Sequence, residues 1–103
     1  MQKGILMRLS KQTQAAIKHA FNQLFIGEIY LFGSRTDDLK KGGDIDLYII
    51  PKQKQSAEQL YNKKIKFLVA LQLAIGEQKI DIIFAKDKNR PIEKEAIRTG
   101  IKL

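Results

Sequence analysis

The sequence predicts an α+β domain in which a small mixed β-sheet carries packed helices. Two short apolar strands rich in β-branched residues alternate with long segments of helical periodicity, and the last strand follows a helix long enough to act as a crossover. Both Asp-bearing strands are bounded by helix caps or turn residues, which fixes their order along the chain.

Ser10 is a natural N-cap, and Ile17, Ala20, Phe21, Leu24 and Phe25 share one face of a helix over about Lys11 to Phe25. After Gly27 an apolar strand runs from Glu28 to Phe32. A second strand, Asp44 to Ile50, ends at Pro51, which cannot continue a central ladder. Ser56 and Gln59 form a capping box for a helix over Ala57 to Ile75, and Gly76 stops it. Leu60, Ile65, Leu68, Leu71 and Ile75 are its expected core series. A strand over Lys79 to Ala85 follows, and a strand, crossover helix and strand imply a parallel pairing of the two. Pro91 opens a last helix reaching about Thr99, before Gly100.

The chemistry concentrates in three carboxylates inside those strands. Asp44 and Asp46, spaced i and i+2, project from one face of their strand, and Ile45, Leu47 and Ile49 form an apolar row on the other. Asp81 stands between Ile80 and Ile82. A carboxylate in a buried strand is costly unless a positive charge compensates it, and a bound divalent cation does so economically. If the two acidic strands lie side by side in register, three carboxylates converge, a donor set suited to Mg²⁺ or Mn²⁺.

Before that strand, Phe32-Gly33-Ser34-Arg35 forms a turn. Gly33 allows a sharp backbone turn and close approach of a phosphate, Ser34 adds a hydroxyl, and Arg35 adds a cation that serves a phosphate or pairs with Asp37 or Asp38.

Gly33-Ser34-Arg35, a loop over Thr36 to Gly43, and Asp44-Ile45-Asp46-Leu47 resemble the signature of the DNA polymerase beta-type nucleotidyltransferase superfamily. The resemblance is greatest to its minimal nucleotidyltransferase (MNT) members and spans about Leu9 to Ala85. It implies a polymerase beta palm-like fold, metal binding by Asp44, Asp46 and Asp81, and nucleotide phosphate binding by Gly33 and Ser34, with Arg35 beside them. It also implies ATP or another nucleoside triphosphate as substrate. Small members are often paired with a helical HEPN toxin, on which some act as antitoxins by adenylylating a hydroxyl, commonly a tyrosine. The loop departs from the common pattern in carrying Thr36-Asp37-Asp38, with Gly43 where Ser often precedes the first Asp.

At 103 residues the expectation is one domain over 1–103, with little room for an acceptor-binding lobe. That predicts a partner protein or a second copy to complete the site. Cysteine is absent, which removes disulfide and thiolate-metal chemistry, and no apolar run suits a signal peptide or membrane span, so a cytoplasmic protein is the default. A net charge of +8 steers phosphates toward the acidic site or simply gives a lysine-rich surface, the plainer reading. His19 reads as surface, and Tyr48 stacks on a base or packs, with packing favoured. Two other functions remain: a non-catalytic protein that neutralises a partner by binding, and a basic nucleic-acid-binding module with steep salt dependence.

Overall fold

The computed structural model describes residues 9–32 and 45–103. Within them the elements are α1 (Lys11–Leu24), β1 (Gly27–Phe32), β2 (Ile45–Pro51), α2 (Ala57–Ile75), β3 (Ile80–Phe84), α3 (Pro91–Thr99) and β4 (Ile101–Lys102). The four strands form one mixed sheet in the order β3-β2-β1-β4. β1 pairs antiparallel with β2 and β4, whereas β2 and β3 run parallel.

Local chemistry sets the helix ends. Ser10 Oγ accepts the Thr13 N–H at 3.0 Å, and α1 ends one residue earlier than its periodicity suggests. Phe25 adopts extended backbone while its N–H still donates to Phe21 O, so its ring drops into the core as the chain turns into β1. At α2 the capping box is complete: Gln59 N–H donates to Ser56 Oγ at 3.1 Å and Ser56 N–H to Gln59 Oε1 at 2.9 Å. Gly76 caps the other end at φ 85°, a conformation that favours glycine.

Strand alternation divides the side chains between two cores. Ile29, Leu31, Ile45, Leu47, Ile49 and Ile82 face α1 and α2, where Ile17, Phe21, Phe25, Phe67 and Leu71 meet them. On the opposite face Phe32 and Tyr48 pack beneath Ala96 of α3. Phe25 joins the first core by stacking on Phe21 at 5.4 Å between ring centroids and meeting Phe67 edge-on at 6.1 Å.

Two features depart from the expectations. Ile65 is 42% exposed, and Phe67 occupies the core instead, because the inward face of α2 follows the 67/71 phase and a residue two positions away points elsewhere. After Gly100 the chain does not stop at the helix: Ile101 and Lys102 return to the sheet and pair with Leu31 and Tyr30 of β1.

Candidate active site

β3 forms an edge of the sheet, and its register on β2 places Ile45 beside Ile80, Asp46 beside Asp81 and Leu47 beside Ile82. Ile45 N–H donating to Lys79 O at 3.0 Å and Ala85 N–H donating to Ile49 O at 2.9 Å extend that pairing at both ends. Side chains at paired positions share a face. Asp46 and Asp81 therefore stand side by side on the α3 face, while their neighbours Leu47 and Ile82 enter the core beneath α2.

Burial differs between the two carboxylates. Asp46 is half-buried, whereas Asp81 is exposed, because an edge strand lacks a neighbour on its outer side among the described residues. Compensation for burial thus bears on Asp46 and not on Asp81; the proximity of two like charges concerns both. Asp44, Gly33, Ser34 and Arg35 lie outside the described residues, as do Asp37 and Asp38. Among the described residues no group of three Asp, Glu, His or Cys converges as a metal set, so the structure brings together two of the three expected carboxylates.

A cleft of about 630 Å³ opens at this pair, with Phe32 and the flank of β3 as its floor. Lys64 of α2 borders it on one side and Pro91, Ile92 and Glu95 of α3 on the other. No sequence pattern assigns Lys64 or these α3 residues to the site. Their proximity depends on how both helices pack, and no local motif announces it. His19 is exposed, as expected, and Tyr48 packs as expected, 1% exposed.

Behind the cleft lies a group that sequence reasoning missed. Glu93 is fully buried on the inner side of α3. Its Oε1 accepts the Tyr48 hydroxyl at 2.7 Å. Its Oε2 accepts the Lys86 and Asp87 N–H groups, each at 2.8 Å, and the Arg90 Nε–H at 2.7 Å. Arg90 also donates to Phe84 O at 3.1 Å. Burial alone pushes the Glu93 carboxyl upward. The hydrogen bonds from Asp87, Tyr48, Lys86 and Arg90 outweigh it and hold the group at about 2. The Tyr48 hydroxyl is pushed well above its ordinary range by burial, and by its bond to the Glu93 carboxylate. One carboxylate thus ties β2, the β3–α3 connection and the start of α3 together, two residues along β2 from Asp46. The only local sign is Arg90 three residues before Glu93, a spacing common on any helix surface.

A four-stranded mixed sheet with helices on both faces and paired acidic positions on a parallel strand pair has the architecture of a nucleotidyltransferase domain. The family model "Polymerase beta, Nucleotidyltransferase" matches residues 15–103, and the chain belongs to that family. A search of curated proteins gives no match. Among the described residues no helix is long and apolar enough to cross a membrane.

Proposed function

We propose that this chain is a metal-dependent nucleotidyltransferase that moves a nucleoside monophosphate, AMP from ATP in the first instance, onto an acceptor hydroxyl. The observation that carries the reading is the side-by-side register of Asp46 and Asp81 in a chain of this family.

Asp46 and Asp81, completed by Asp44, offer the hard oxygen donors that suit Mg²⁺ or Mn²⁺. Such an ion, when bound, polarises the phosphoryl oxygens and lowers the pKa of the acceptor hydroxyl. The exposed Asp81 carboxylate takes the proton of that hydroxyl as its oxygen attacks the α-phosphorus. The new O–P bond forms as the bond from the α-phosphorus to the bridging oxygen breaks, and pyrophosphate leaves. Gly33, Ser34 and Arg35 hold the β- and γ-phosphates so that departure lies in line with attack.

The cleft between α2 and α3 receives the acceptor. In keeping with small members of the family, the acceptor belongs to a partner protein, a tyrosyl hydroxyl of a HEPN-type toxin being the leading candidate, in a cytoplasmic setting where triphosphates are available.

Incubation of the purified chain with Mg²⁺ and ATP labelled at the α-phosphate, with and without lysate of the source cell, tests the reading. Label on a protein or small molecule from wild type, and none from Asp46→Asn, is the expected result. Transfer that persists in Asp46→Asn removes the assignment. So does the absence of transfer from folded protein with every triphosphate and with Mn²⁺.

A further inference from the structure

Helix α2 is apolar on two opposite faces. Phe67 and Leu71 point into the core, while Tyr61, Ile65, Val69 and Leu73 stand on the outer side, exposed by 60, 42, 50 and 84%. Their four-residue spacing aligns them as a single ridge, about 18 Å long at 1.5 Å per residue. A helix at the surface of a soluble domain normally turns polar residues outward, and an apolar row of this length is the mark of a surface that another element covers.

Charge selects the covering element. The charged residues of α2 are Glu58 near its start and Lys63, Lys64 and Lys66 in the first half of the ridge. Helical spacing sets Lys63 and Lys66 along one flank and Lys64 along the other, with the Lys63 ammonium 5.7 Å over the Phe25 ring.

We propose that the Tyr61–Leu73 ridge docks an amphipathic helix of a partner protein whose apolar stripe is flanked by carboxylates. A row of side chains four residues apart fits the groove between the matching rows of a second helix, and acidic flanks meet the lysines on either side. A second copy of this chain does not fit. The three lysines lie in the first half of the ridge, whose centre is residue 67. Parallel pairing of two α2 helices sets six lysines side by side, antiparallel pairing about that centre leaves each within about 3–12 Å along the axis of its counterpart, and neither brings a carboxylate against them. Lys64 also borders the cleft holding Asp46 and Asp81, so a partner seated on the ridge lies beside the candidate active site. The surface stands on its own whether or not that cleft transfers a nucleotide.

A photo-crosslinking amino acid of the benzophenone type, placed at position 73 in the full chain and expressed in the source cell, tests this directly. The expected product is a heterologous crosslink whose partner peptide, identified by mass spectrometry, is an amphipathic helix with Asp or Glu beside its apolar stripe. Ile65→Lys with Val69→Lys in the same chain lowers its yield at least ten-fold, and because both sites are exposed the thermal melt stays unchanged. A crosslink to a second copy, to lipid or to a segment without acidic flanks overturns the proposal. So does a yield no higher than that from the same group at exposed position 12 of α1.

Discussion

Asp46 on β2 and Asp81 on β3 are register partners across a parallel strand pair, and both side chains share the face covered by α3. The parallel pairing follows a helical crossover through α2, so the two carboxylates meet across a separation of 35 residues in the chain. A cation bound between them would offset the repulsion of two neighbouring carboxylates.

That relationship predicts a split between activity and stability. Asp81→Asn and Asp46→Asn each lower nucleotidyl transfer by about 100-fold or more, since donors aimed at developing charge contribute on that scale. Asp81→Asn, at an exposed position, keeps the wild-type melting temperature or exceeds it, because one of two neighbouring negative charges is gone. Mg²⁺ raises the melting temperature of wild type by mass action and raises that of either variant less. Calorimetry with and without the metal reads this without any acceptor.

Removal of the Glu93 carboxylate leaves the Tyr48 hydroxyl, two backbone N–H groups and the Arg90 guanidinium without their shared acceptor. Glu93→Ala is expected to lower stability by about 3–5 kcal/mol, the scale for breaking a buried charged pair. Tyr48→Phe, which removes one donor and leaves the other bonds, costs about 1–2 kcal/mol. Urea unfolding of the two variants measures both values; equal losses would show that the network has no such hierarchy.

The same pair gives stability a pH dependence at both ends. Glu93 is held at about 2, below its ordinary 4.5, so its contribution is complete above about 4.5 and declines as pH falls toward 2. The Tyr48 hydroxyl is raised above its ordinary 10, so its contribution is complete below about 10 and declines as pH rises further. Unfolding free energy measured from pH 2 to 11 is expected to fall at both extremes. In Tyr48→Phe the alkaline decline is smaller.

Gly27 begins β1 at φ +153°, and a Cβ there would collide with the Ile50 carbonyl oxygen and approach Lys52 N to 2.9 Å. The turn from Phe25 into the sheet has no room for a side chain. Gly27→Ala is expected to lose about 1–3 kcal/mol, the usual range for strained backbone, and thermal melting checks it. A gain in stability would mean that the turn relaxes.

Much of this molecule is written locally. The Ser10 cap, the Ser56–Gln59 box, Gly76 and Pro91 are short-range signals, and each sits at its expected helix end. The i and i+2 spacing in Asp44-Ile45-Asp46 and the helix after it were enough to expect a parallel partner strand, because a crossover of that length permits little else. Local signals fail where a residue's surroundings are set by distant chain. Ile65 and Phe67 are both apolar, and only the seating of α2 on the sheet decides which one is buried. Nothing near Glu93 in sequence reveals that Tyr48, 45 positions earlier, will bond its carboxylate.

The sequence by itself determined most of the helix ends and the apolar faces of the strands. These follow from periodicity and capping, which act over a few residues. Only the tertiary structure decided that Asp81 lies exposed at the sheet edge, that Lys64 and Ile92 flank it, and that Glu93 is buried beneath α3. Burial and proximity come from packing between elements far apart in the chain, which no local pattern encodes.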